Sequence, residues 1–295
     1  INNAEVVLDG GTINNGGGFR IASNLGASAS KMILTNGAVM TQTLSNATIR
    51  VGDSAGLTGE LIIDNSTLIH SGGEIGIGFT LNAIGVVKQF GGVVSNVTVN
   101  VSRGNSVTAN YEMVGGVLAP LVIREQTASG TSYISFDGST LMPASATTSN
   151  AVFFTGLNTA EIKSGGLTVD TAGLDLTIAQ VLSGAGRLTK VSTGTLTLNG
   201  GSTYAGVTVS AGQVTLGNVA NTFPEGVILN GGTLRITANA DVLGTNSLAL
   251  NGGTFGPNTG TRTVTVPVTI GGNVTMSTGT LIFTNSTFTL TGNRT

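Results

Sequence analysis

The sequence predicts an all-β protein built as a right-handed parallel β-helix, a β-solenoid drawn out into a single elongated rod. Three observations carry that expectation. Short runs alternate Thr or Ser with Val, Leu or Ile, as in "GTLTLNGG" (194–201), "VTVSAGQVTLG" (207–217) and "RTVTVPVTIGG" (262–272). Period two of this kind sends one set of side chains into a core and the other outside. Gly-Gly pairs begin at Gly10, Gly72, Gly91, Gly115, Gly165, Gly200, Gly231, Gly252 and Gly271. Neighbouring pairs are mostly about 19 to 35 residues apart, the range of solenoid periods. Finally, one phrase keeps returning: "LDGGTI" at 8–13, "LNGGST" at 198–203, "LNGGTL" at 229–234 and "LNGGTF" at 250–255.

Each run has a place in that scheme. The apolar runs last four to six residues and stop at Gly, Asn or Asp, which tolerate the positive φ that tight corners require. The phrase Leu-Asn-Gly-Gly is therefore expected to mark one corner of the coil wherever it occurs. Inward aliphatic residues then stack rung upon rung, with about 4.8 Å between rungs. At about 21 residues per coil the chain would make roughly 14 coils and a rod on the order of 65 Å long. Residues 1–155 read as a solenoid of degenerate coils, and residues 156–295 as a more regular one continuous with it. No convincing amphipathic helix is present; "LNTAEIKSG" (157–165) comes nearest and is short. A β-sandwich also suits short strands with Gly turns, but sandwiches rely on hairpins and usually bury large aromatics. Here Trp is 0 and aromatic residues make up 4% of the chain.

Composition excludes several classes. Of 295 residues, 46 are Gly and only 9% are charged. Recurrent Val, Leu and Ile separate the chain from disordered polar sequences. Glycine without a three-residue period, and only 5 Pro, separate it from collagen. The longest nearly apolar stretch, "IGIGFTLNAIGVV" (75–87), is broken by Thr80 and Asn82 and is too short to span a bilayer as a helix. A net charge of −2, with 12 basic residues scattered along the sequence, argues against a nucleic-acid partner. Cys is absent, which removes disulfides, thiolate nucleophiles and cysteine metal sites. The chain starts at Ile1 with neither an initiator Met nor a secretion signal, so a mature or excised piece is expected.

Residues 182–218, "LSGAGRLTKVSTGTLTLNGGSTYAGVTVSAGQVTLGN", resemble the autotransporter-associated β-strand repeat of bacterial surface passengers. The elements that match are "LSGAGRLTK", "GTLTLNG", "STYAGVTVSAG" and the trailing "GQVTLGN". The sequence departs at Val191, Ser192 and Thr193, where the family usually has a Gly-containing turn, and at Ala205, where Thr is commoner. Residues 111–120, 133–144 and 162–186 look like the modules that precede such repeats in large, secreted, glycine-rich bacterial proteins. Residues 217–255 look like the coils that follow. The resemblance implies export through a Gram-negative-type envelope and a place on the cell surface or in extracellular matrix. It implies a scaffold rather than an enzyme. The translocator barrel of autotransporters is not evident in this sequence.

Catalytic candidates are few. Asp170 and Asp175 in "VDTAGLD", with Glu161 and Lys163 before them, form the best carboxylate cluster for polysaccharide chemistry. Their five-residue spacing across a Gly corner is expected to place the aspartates on different faces. His70 is the only histidine, and a surface or corner position is expected for it. "SGGEIGIGF" (71–79) lacks the Asp of a calcium-binding nonapeptide, and Ile75 and Ile77 look like core residues. "LSGAGRLTK" precedes a strand rather than a helix, which argues against a nucleotide loop. Thr195 and Thr197, or Thr263 and Thr265, could begin an ice-ordering ladder, but such pairs do not recur at every coil. Sequons such as those at Asn46, Asn65 and Asn96 occur; with so much Asn, Ser and Thr several are expected by chance. No catalytic residue, cofactor or metal site is assigned.

The leading expectation is therefore structural. A solenoid exposes unpaired backbone groups and an apolar cross-section at each end unless it is capped. Val6, Val7 and Leu8 in the first coil, and Phe283, Phe288 and Leu290 in the last, are the candidates for head-to-tail self-assembly into a filament or surface layer, or for continuation into further repeats of a longer chain. An adhesin binding glycans or neighbouring cells is the alternative, and would need Tyr111, Tyr133 and Tyr204 to line a groove. A polysaccharide-active enzyme would need Asp170, Asp175 and a basic residue to converge.

Overall fold

The computed structural model describes residues 1–2, 4–23, 29–127, 129–237, 241–284 and 286–291. The protein is an all-β solenoid of parallel strands stacked in about 11 turns. Among the described residues there are 32 strands and one short 3₁₀ helix, Asp241–Leu243. The chain divides into two compact units, residues 1–147 with 153–161, and residues 148–152 with 162–295.

The first unit is built from wide turns. Each of its first three turns contains three strands: Glu5–Asp9, Thr12–Asn15 and Phe19–Ile21, then Ala29–Thr35, Val39–Gln42 and Thr48–Val51, then Thr58–Asp64, Thr67–His70 and Glu74–Ile77. In the next two turns the second and third strands merge into Val93–Val101 and Val117–Arg124. Glu5 pairs with Lys31, Ala29 with Thr58, Thr58 with Ile84, Ile84 with Thr108 and Thr108 with Thr131. Along this column the turn that starts at Ala29 is the longest and the one that starts at Thr108 the shortest. The second unit is tighter. Leu167 pairs with Leu188, Leu188 with Val207, Val207 with Val227 and Val227 with Leu248, so every one of these turns is shorter than any of that column in the first unit. The expectation of roughly 14 coils is corrected to about 11, because turns with a third strand consume more chain. Residues 182–218 make two successive turns, with strands Ser183–Val191, Thr195–Leu198, Thr203–Val209 and Gln213–Leu216.

Register explains the core. In the first unit Met32, Leu61, Val87, Tyr111 and Ile134 form one inward column, and Leu34, Ile63, Gln89, Met113 and Phe136 another. In the second, Leu188, Val207, Val227, Leu248 and Val268 stack in order, all buried. Burying one such aliphatic side chain contributes about 1.5–3 kcal/mol. Most of the charge in the first unit is carried at outward positions. Glu5, Lys31, Glu60 and Lys88 alternate in sign along one face of the first unit, with Lys31 3.5 Å from Glu5 and Lys88 2.8 Å from Glu60.

The glycine pairs turn the chain at corners, but not all at the same one. Leu229 and Leu250 end equivalent strands, Val227–Leu229 and Leu248–Leu250. Leu198 ends Thr195–Leu198, which belongs to the other strand column of the same unit. The expectation of a single marked corner is thus corrected to at least two. Glycine is needed at either, because successive corners lie backbone on backbone. In the first unit the corner of Gly115 and Gly116 rests on that of Gly91 and Gly92, and the Val117 amide donates to the Gly92 carbonyl at 2.9 Å.

Candidate functional site

Inward positions of the first and last described strands are more exposed than their partners in register. Val6 pairs with Met32 and Leu8 with Leu34, so both lie on the inner face. Met32 and Leu34 are buried, whereas Val6 is 40% exposed and Leu8 is only half-buried. Val7 pairs with Ile33 on the outer face, so it belongs to a side wall rather than to the exposed cross-section. In the second unit Phe288 pairs with Val268 and Leu290 with Ile270. Phe288 is 48% and Leu290 61% exposed, although Val268 is buried. Phe283 lies edge-on to Phe288 with ring centroids 4.9 Å apart. Five of the six candidates from the sequence therefore fall on uncovered inner rungs or against one, and Val7 does not.

Asp170 and Asp175 are employed as corner braces, and Glu161 bonds between strands. Asp170 accepts a hydrogen bond from the Ala172 amide at 2.7 Å, and Asp175 accepts one from the Thr195 amide at 2.7 Å. Glu161 accepts a hydrogen bond from the Tyr133 hydroxyl. Among the described residues no group of three His, Cys, Asp or Glu is placed to hold a metal ion. No helix among them is long and apolar enough to cross a membrane.

His70 takes the second of the two positions expected for it. It closes the strand Thr67–His70 at a corner, but it is fully buried rather than on the surface. Its Nδ1 accepts the Gly73 amide at 2.9 Å, which folds the ring beneath its own corner, and burial lowers its pKa. The imidazole is held neutral as an acceptor, and works as part of the turn. Ile75 and Ile77 are fully buried, as the alternation predicts. Threonine ladders do form: Thr168, Thr189 and Thr208 stack in register, as do Thr177, Thr197 and Thr215. Ile228 and Arg235 end them after three rungs.

The tyrosines do not line a groove. Tyr111 and Tyr204 are fully buried, and Tyr133 is half-buried. Tyr111 sits in an inward column between Val87 and Ile134, and its hydroxyl donates to Gln89 Oε1 at 3.0 Å. Tyr204 packs on Phe223 with centroids 5.1 Å apart, and its hydroxyl has no hydrogen-bond partner among the described residues. The two hydroxyls should therefore respond in opposite ways. Tyr111→Phe strands a buried amide oxygen and is expected to cost about 1–2 kcal/mol, while Tyr204→Phe is expected to be neutral or stabilising by up to about 1 kcal/mol. Urea unfolding followed by circular dichroism measures both; equal losses would mean that the Tyr111 hydrogen bond carries no net weight.

A further cluster escaped the reading of the sequence. The basic residues are scattered along the chain but not in space: Arg20, Arg50, Arg103 and Arg124 gather on one face of the first unit. Arg20 pairs in register with Arg50, Arg50 with Gly76, Gly76 with Asn100, and Asn100 with Arg124. Where Gly76 leaves a gap in this column the Phe79 ring lies across it, with the Arg50 guanidinium 3.9 Å and the Arg103 guanidinium 4.9 Å from the ring centroid. Asp53 pairs with Arg20 at 3.4 Å and Arg50 at 3.1 Å, and Glu74 with Arg103 at 3.1 Å. Arg124 Nε donates to Asn100 Oδ1 at 2.9 Å. The signal in the sequence is slight: Arg20 and Arg50 stand about one wide turn apart.

No family model matches the chain, and no curated protein or solved structure matches it.

Proposed function

We propose that this protein is a structural solenoid that assembles end to end into a filament or surface layer. The observation that carries this reading is the uncovering of inner rungs at the two terminal turns. Val6 at one end, and Phe288 and Leu290 at the other, occupy inward columns whose other members are almost all buried. A further rung laid on either end would remove that apolar surface from water and satisfy a strand edge at the same time. Contacts of this heterologous kind propagate instead of closing. The resemblance of residues 182–218 to the autotransporter-associated repeat supports placing such a filament outside a Gram-negative-type cell. Adhesion to glycans through a tyrosine-lined groove loses support from the burial of Tyr111 and Tyr204.

The test uses one lesion at each end. Wild-type chain should give unbranched fibres in electron microscopy over a concentration series, and large species in size-exclusion chromatography. Val6→Lys and Leu290→Lys should each abolish fibres, because a buried lysine without a partner opposes stacking. Mixing the two variants leaves one good end on each, and should yield a species of twice the single-chain mass and nothing larger. Isolated particles of wild-type protein at every concentration would sink the self-assembly reading.

A further inference from the structure

End-to-end assembly through Val6, Phe288 and Leu290 leaves the arginine face of the first unit unexplained. Only 9% of the chain is charged and the net charge is −2, yet four of its 12 cations lie together. Among the described residues, two carboxylates, Asp53 and Glu74, form ion pairs with three of these guanidinium groups. Asp53 is buried and shared between two of them, and Glu74 is occupied by Thr48, Asn100 and Arg103 together. Each named side-chain contact of the four arginines uses a single nitrogen, whereas a guanidinium carries five N–H donors. The Arg20 side chain is 55% exposed, and Arg124 is exposed as well. Beside Thr48, Glu74, Thr98 and Arg124 runs an open groove of about 320 Å³, floored by Gly72 and Gly73.

We propose that this face binds an acidic polysaccharide, a linear glycan bearing carboxylate or sulfate groups. Guanidinium forks match the planar oxygens of such groups and hold them with charge-assisted bonds. The rungs repeat about every 4.8 Å, so arginines spaced along them meet an extended chain that carries one anionic group every sugar or two. Single-stranded nucleic acid is the weaker fit, because it needs open aromatic platforms for its bases. The aromatic ring on this face, Phe79, is already flanked by Arg50 and Arg103. The face that carries Glu5, Lys31, Glu60 and Lys88 shows the contrast: there cations and anions alternate and cancel.

The experiment places immobilised heparin and polygalacturonate, with single-stranded DNA as comparison, before the purified chain at several salt concentrations. The expected result is binding to at least one of the two glycans that weakens steeply with salt. Arg20→Gln with Arg124→Gln should weaken it about tenfold, which is about 1.4 kcal/mol. Both residues are on the surface, so the fold should survive. Lys31→Gln with Lys88→Gln removes the same charge from the other face and should change affinity by less than about twofold. Absence of binding to both glycans, equal weakening by the two double variants, or tighter binding to DNA than to either glycan would each overturn the proposal.

Discussion

Replacing Gly116 by alanine is expected to destabilise the fold by about 3–4 kcal/mol, while the same change at Gly115 costs about 1–2 kcal/mol. The two residues are adjacent, and both occupy the left-handed region, with φ of 82° at Gly115 and 75° at Gly116. A β-carbon costs each of them the steric penalty of that conformation. Only at Gly116 does it also strike something. There the new atom would lie 2.6 Å from the Gly91 carbonyl carbon, 2.7 Å from its oxygen and 2.8 Å from the Gly92 oxygen, all of them backbone of the turn below. At Gly115 the nearest atom is 3.9 Å away. Relief at Gly116 requires the two turns to separate, and the 2.9 Å bond from the Val117 amide to the Gly92 carbonyl would be lost with them. Urea midpoints for the two variants check this. Equal midpoints would mean that φ alone governs the corner and that the spacing between turns yields easily.

Stability is expected to rise between about pH 8 and pH 10 and to fall above it, and Lys190→Met should abolish the rise. Lys190 occupies an inward column, paired with Val169 on one side and Val209 on the other. It is fully buried, and its Nζ donates to the carbonyl oxygens of Val191 and Ser192. Burial pushes its pKa down to about 8, with Asp170 opposing the shift. Through the interval from there to 10.5, the ordinary value, the unfolded chain holds a proton that the native protein has released. Stability therefore climbs with pH across that window, by at most about 3 kcal/mol. Burial raises the pKa of Tyr111 and Tyr204 above the ordinary 10.0. Above that pH the unfolded tyrosines ionise and the native ones do not, so stability declines. Denaturation at half-unit intervals from pH 7 to 11 measures the profile. A wild-type curve without an ascending limb would place the Lys190 ammonium in contact with water.

Much of this architecture could be read in the chain because a stacked coil repeats its physics. The alternation at residues 207–216 gives the inward set Val207, Val209, Val214 and Leu216, all of them buried. The turn length was less legible, since corners do not always use Gly-Gly. Asn36 and Asn65 take positive φ, at 54° and 45°, where other corners use glycine. Counting glycine pairs therefore misses turns in the first unit. Lys190 shows a second limit: alternation gives two faces, but a polar residue on the inner one looks the same in sequence as one on the outer. The burial of His70 was missed for a related reason, because a ring nitrogen that accepts its own turn's amide makes burial tolerable. The arginine face is a consequence of register. Arg20, Arg50 and Arg124 meet only because turns of unequal length bring them to one column.

The short span between partners has a kinetic consequence. Strand partners within each unit lie one turn apart in sequence, as Thr58 does from Ala29 and Val207 from Leu188, so a segment finds its place on the chain immediately before it. Closing so small a loop costs little entropy compared with pairing strands far apart in the chain. Once one turn exists, its open strand edge is a template for the next, and growth proceeds turn by turn. A polypeptide of this kind can be laid down as it emerges from a ribosome or a pore, needing only the last turn as a mould.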